Sequence, residues 1–196
     1  MCKNTIYLLK KKNNNRNLFR KKKSKIIFTL RITLIITGMI LDNDRSFLKR
    51  ASDIAIASIK IGGGPFGAVI TKGGEIISEA GNSVVLNHDP TAHAEILAIR
   101  KAALVTGSHD LSGCVIYSSC EPCPMCLGAI YWAGIKKVVY ASLRTDAAAA
   151  GFDDEAIYHE MALDPADREL VFKYMPDCGG ENVFRKWDEF EDKIVY

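Results

Sequence analysis

Apolar residues recur along the chain in two periods, and the changes between them mark its elements. Phe47, Ile54, Ala55 and Ile61, with Ala51 and Ser58, fall at roughly helical spacing after an Asp/Ser start, which predicts an amphipathic helix from Ser46 to a stop at Gly62. Gly62-Gly63-Gly64-Pro65 then breaks the chain, and no GK[ST] or GxGxxG pattern follows in the context a phosphate cradle needs. Phe66 to Thr71 and Glu75 to Ala80 are short apolar runs joined by Lys72-Gly73-Gly74, a β-hairpin signal. Asp89-Pro90-Thr91 reads as a helix start, with Asp as cap and Pro at the first helical position, and the helix continues through Ile96, Leu97, Ile99 and Leu104. Leu111 to Ser118 predicts a buried strand, Pro124 to Trp132 a helix and Lys137 to Ala141 a further strand. This alternation implies an α/β fold, a three-layer α/β/α sandwich around one mixed central sheet. Beyond Ala147 the periodicity weakens, with a loop expected at Gly151-Phe152-Asp153-Asp154 and a last helix over Glu181 to Glu191. Trp132, Trp187 and the methionines are expected in the core.

Length and charge narrow the function. With 196 residues, 48% of them apolar and 25% charged, the chain suits one folded domain and neither wholesale disorder nor a polytopic membrane protein. Of its 26 Lys and Arg, eleven lie in residues 1–38, which hold no acid. The remainder therefore sets 15 cations against all 23 Asp and Glu, a formal charge of −8. An acidic body argues against a grip on phosphate backbones and for a small-molecule substrate. The basic segment leads into an apolar stretch, Ile26 to Leu41, shorter than the ~20 residues a spanning helix needs, and no small-residue cleavage site precedes Asp42. Residues 1–38 are expected to be an extension, disordered or untranslated, with Met39 as the working start and 39–196 as one domain.

Three features carry candidate chemistry: His93-Ala94-Glu95 at the first turn of one predicted helix, Pro122-Cys123-Pro124-Met125-Cys126 at the start of another, and the strand between them. Three of the six cysteines crowd into Cys120 to Cys126, which points to metal or redox chemistry in a reducing compartment rather than a disulfide scaffold. A lone CxxC is equally a redox pair or half of a structural zinc site. Joined to one imidazole, two thiolates suit zinc, and three protein ligands leave a fourth position for water, as catalytic sites do. Both groups sit at predicted helix N-termini, which favour thiolates, and Glu95 supplies a general acid/base. Residues two apart on an ideal helix differ by roughly 200° in direction, so His93 and Glu95 converge only if the helix begins about there. Cys120 is a possible further ligand and is read here as a buried thiol at the strand's end.

Taken together, the HxE and PCxxC motifs form the signature of zinc nucleobase deaminases, and from about Phe47 to Tyr196 the chain resembles the cytidine deaminase-like superfamily. Asn87 to Glu95, Ser119 to Ala133, and Thr145-Asp146-Ala147-Ala148 with Gly151-Phe152-Asp153-Asp154 are similar to the small bacterial guanine deaminases of this superfamily. The resemblance implies Zn2+ on His93, Cys123 and Cys126, with Glu95 as the proton shuttle. It makes Asn82 the residue that holds the base, Asp154 an aid to the leaving amine, and Phe66 and Phe152 walls for the ring. The implied reaction is hydrolysis of guanine to xanthine and ammonia. The implied assembly is a cytoplasmic homodimer with exchanged C-terminal segments, in which Tyr196 lies over the partner's site. A guanosine or tRNA adenosine deaminase, and a binding module braced by zinc, are the alternatives. The basic extension and Gly134-Ile135, where a basic residue is expected, depart from the resemblance.

Overall fold

Gly73 and Gly74 both adopt positive φ, at 60° and 88°, the pair of left-handed residues that a two-residue hairpin turn requires. They join β1 (Gly67–Lys72) to β2 (Glu75–Gly81), with Lys72 opposite Glu75, so the predicted hairpin forms at the predicted place. The structure, a computed structural model, describes residues 43–195. The expectations for residues 1–38, the stretch Ile26 to Leu41 and Tyr196 lie outside those residues.

β1 also pairs antiparallel with β3 (Cys114–Cys120), and β3 pairs parallel with β4 (Lys137–Ser142), giving a mixed sheet in the order β2-β1-β3-β4. A parallel pair needs a crossover, and α4 (Pro124–Trp132) supplies it. On one face lies helix α1, described over 43–60, whose small residues Ala51, Ala55 and Ser58 are buried. A side chain at Gly67 would come within 2.2 Å of the Ala51 carbonyl oxygen, so glycine there lets the helix lie directly on β1. The Phe47 and Tyr117 rings, 5.0 Å apart, close this layer. On the other face, Ala94, Ala98 and Ala102 of α3 (Ala94–Thr106) share a core with Ile70, Ile116 and Ile130. Small side chains four apart bring α3 close to the sheet. The expected three-layer α/β/α sandwich is the observed one.

The helix expected to start at Asp89-Pro90-Thr91 begins instead at Ala94, with His93 as its N-cap. The Asp89 carboxylate accepts the Thr91 N–H at 2.8 Å and its hydroxyl at 2.7 Å, so the signal closes a local turn rather than capping a helix. A short helix, α2 (Val84–Asn87), precedes that turn. After β4 come α5 (Arg144–Ala149), α6 (Glu155–Ala162), a 3-10 turn at Pro165–Asp167 and α7 (Gly180–Glu189). Trp132 and Trp187 are not core residues, since Trp132 is 70% exposed on the outer side of α4 and α7 buries no residue at all; Met125, Met161 and Met175 are exposed as well. Among the described residues no helix is long and apolar enough to cross a membrane.

Candidate active site at two helix starts

His93 and Cys123 occupy equivalent positions, each the N-cap of its helix with extended backbone (φ −66°, ψ 153° and φ −65°, ψ 168°). Their carbonyls accept the first helical bonds, from Leu97 N–H at 3.0 Å and Leu127 N–H at 2.8 Å. Both side chains leave the helix before it winds, which removes the geometric conflict between His93 and Glu95: the histidine is outside α3 and the glutamate inside its first turn. Pro124 fixes the backbone at the start of α4 and Cys126 follows within the same turn, buried.

The ligand atoms of His93, Cys123 and Cys126 all lie within 4.8 Å of one another. His93 Nδ1 is 3.5 Å from each sulfur. A tetrahedral zinc with its usual bond lengths separates nitrogen and sulfur ligands by roughly 3.5 Å, so the three side chains fit that ion. Cys120 is buried outside the cluster, with its thiol 3.5 Å from the Leu143 carbonyl. Without metal, the hydrogen bond from Cys126, ahead of that from His93, holds the Cys123 thiol down at about 4. The hydrogen bond to Cys123, and then burial, push Cys126 up, so that the pair keeps one proton. The same thiolate raises His93. Such a nest of one imidazole and two thiols holds a divalent soft cation once the shared proton leaves.

Glu95 is 5% exposed, and burial pushes its carboxyl above the usual range. Oε2 lies 3.5 Å from Cys126 Sγ at the edge of the cluster, while Oε1 accepts a 2.8 Å hydrogen bond from the Ser118 hydroxyl. A buried carboxyl whose proton affinity is raised, beside three candidate metal ligands, can take and return a proton.

The loop carrying Asn82 is tied to the histidine segment by Ser83 N–H to the Ala92 carbonyl, at 2.9 Å. Asn82 Oδ1 accepts two backbone N–H groups, from Gly64 at 3.3 Å and Val84 at 3.2 Å. An amide nitrogen cannot accept, so the oxygen must face the backbone and the NH2 is left to donate elsewhere. A side chain at Gly64 would meet that oxygen at 2.8 Å, and one at Gly63 would meet the Asn82 carbonyl at 2.4 Å. The glycine run read from sequence as a chain break is therefore the bed of Asn82. Phe66 and Phe152 meet edge to face at 5.0 Å, with Phe66 against the core and Phe152 exposed. Asp154 sits at the start of α6, its carboxyl raised by burial and then by the charge of Cys123. Sequence reasoning missed Ser118 and Gly64. A polar residue on the core face of β3 was the available signal for the first.

Residues 41–142 match the cytidine and deoxycytidylate deaminase zinc-binding region. The chain is 50% identical over 155 residues to the guanine deaminase of Bacillus subtilis, covering 79% of this chain and 99% of that protein. A solved structure of guanine deaminase from Bacillus subtilis superposes with a TM-score of 0.76 at 50% identity, over 78% of this chain and 98% of that one. A tRNA-specific adenosine deaminase of Aquifex aeolicus is 46% identical over 97 residues, which span 50% of this chain and 64% of that protein.

Proposed function

The chain belongs to the cytidine and deoxycytidylate deaminase family, and on that premise we propose that it hydrolyses guanine to xanthine and ammonia. The observation that carries the substrate is the extent of the match: half of 155 aligned residues agree with a guanine deaminase along nearly its whole length. The likeness to the tRNA-specific adenosine deaminase spans only half of this chain. A body of charge −8 beyond residue 38 also disfavours a polynucleotide substrate.

His93, Cys123 and Cys126 would hold zinc, which when bound would supply a water acidic enough to act as nucleophile near neutral pH. Glu95 takes a proton at Oε2, the oxygen facing the cluster, as a C–O bond forms at C2 of guanine. It returns that proton to the 2-amino nitrogen as the C–N bond breaks, so one water is consumed per ammonia released. The Asn82 NH2 donates to an acceptor on the base, and Phe66 and Phe152 flank the ring. Asp154 accepts from the departing amine.

The active unit in this reading is a homodimer in the cytoplasm, where the free thiols Cys114 and Cys120 stay reduced. Its support is the C-terminal segment, in which Phe172, Phe184, Trp187, Phe190 and Ile194 are all exposed, together with β4, the edge strand next to β3. A second copy of the chain, exchanging this segment, covers both and brings Tyr196 over the neighbouring site.

The test is to incubate zinc-loaded protein with guanine, guanosine, adenine, cytidine and an anticodon-arm RNA, and to measure ammonia. Release from guanine well above the others is the expected result. Inosine formed in the RNA at comparable efficiency would transfer the protein to the nucleic-acid branch.

A further inference from the structure

Side chains of β3 alternate between two faces. Cys114 and Ile116 face the core shared with α3 and α4, while Tyr117 packs on the other face, in the cluster with Ala51. Ser118 belongs by this alternation to the first group and is 1% exposed. A hydroxyl among apolar side chains costs stability unless it is paired. Its backbone is already committed to the sheet, opposite Ala68 of β1 and Tyr140 of β4, so the ladder does not use the side chain. The hydroxyl instead reaches across the interface to α3 and donates to Glu95 Oε1 at 2.8 Å.

We propose that Ser118 is a positioning residue, whose hydroxyl holds one carboxylate oxygen of Glu95 so that the other stays aimed at the metal cluster. The inference rests on the deaminase reading above for its activity readout and on geometry for the rest. A glutamate side chain has three rotatable bonds, and Glu95 enters from the first turn of a helix whose N-cap is itself a proposed ligand. With Oε1 tied to β3, Oε2 is left 3.5 Å from Cys126 Sγ. Proton transfer is steep in distance, and a misplacement of about 1 Å can cost on the order of 100-fold. The adjacent Ser119 provides an internal contrast. Its oxygen accepts the Gly67 N–H at 3.0 Å at the start of β1, so its role is structural.

The experiment compares Ser118→Thr, which keeps the hydroxyl, with Ser118→Val, which keeps the same shape without it, alongside Ser118→Ala and Ser119→Ala. For zinc-loaded proteins with guanine, Ser118→Val and Ser118→Ala should lose about 10- to 100-fold in kcat with KM within about twofold. Ser118→Thr should recover most of that loss, and Ser119→Ala should leave kcat near native. Zinc content should be unchanged throughout. Crystal structures should find the Glu95 carboxylate displaced in the valine variant and in its native place in the threonine variant. Native kcat in Ser118→Val, an equal loss in Ser118→Thr and Ser118→Val, or an unmoved Glu95 would each overturn the proposal. If the native chain produces no xanthine, the substrate reading fails, and the position of Glu95 in the variant crystals still decides the role of Ser118.

Discussion

Strand β3 and the segment from Leu170 to Val195 are both rich in large apolar side chains, and the chain treats them oppositely. β3 lies between two layers of helices, and Ile116 and Tyr117 are buried on its two faces. In the C-terminal segment Val183, Phe184 and Trp187 line one side of α7, yet Phe184 is 72% exposed and the helix buries nothing. Leaving a large apolar side chain in water forgoes about 1.5–3 kcal/mol. The body around β3, with α3 and α4 packed on it, is self-sufficient and holds the proposed metal ligands, Glu95 and Ser118. The second has the composition of a core and lacks one. The division separates the chemistry, built by one chain, from the closure of the site, which the proposal assigns to two.

Removing the acid/base group within the self-sufficient region gives the largest effect. Glu95→Gln should lower kcat by about 10²–10⁴-fold with zinc still bound, as metal analysis alongside steady-state kinetics would establish. Loss of the metal, or near-native turnover, would contradict the role assigned to Glu95.

Cutting the other region tests whether its exposed face is functional. A chain ending at Asp192 should keep its zinc and lose on the order of tenfold in kcat/KM, about 1.4 kcal/mol of transition-state stabilisation. Mixing it with Glu95→Gln chains under conditions of subunit exchange should restore activity, because some heterodimers pair an intact Glu95 with a full-length partner tail. No recovery would mean that the tail acts on its own subunit or not at all.

A smaller effect is expected at the bed of Asn82. Gly64→Ala places a methyl against the amide oxygen, 2.8 Å away, and should raise KM by about tenfold while kcat falls less. An unchanged KM would separate Asn82 from base binding.

The smallest lies on the surface of the sandwich, where Arg50 bonds Glu79 through both guanidinium and carboxylate. The Arg50 hydrogen bond holds the Glu79 carboxyl below its ordinary value of 4.5. Because the folded value is the lower one, the stabilisation is complete above the unfolded value and disappears as pH falls through the folded value. The pair is solvent-screened, so Glu79→Gln should cost about 0.5 kcal/mol at neutral pH. Urea melts should find that difference shrinking as pH falls below 4.5 and through the folded value of Glu79.

Much of the site was legible because its signals are local. Gly73-Gly74 dictates its own turn, and Pro124 after Cys123 dictates a helix start that places two thiols together. Asp89-Pro90-Thr91 misled for the same reason: the carboxylate satisfied its own turn two residues on, a choice that only the surrounding structure decides. Ser118 and Gly64 escaped notice because their partners, Glu95 and Asn82, lie 23 and 18 residues away. No periodicity records such a pairing. Trp132 and Trp187 were expected inside because bulk apolar side chains usually are. Their exposure here reflects a boundary of burial that a single sequence does not mark.

The central claim, hydrolysis of guanine by water at this site, is tested most directly by product analysis in water enriched in heavy oxygen. Zinc-loaded protein given guanine should release one ammonia for each xanthine, with a single labelled oxygen at C2. Xanthine without the label, or guanine recovered intact while another amine-bearing base is hydrolysed, would contradict the account.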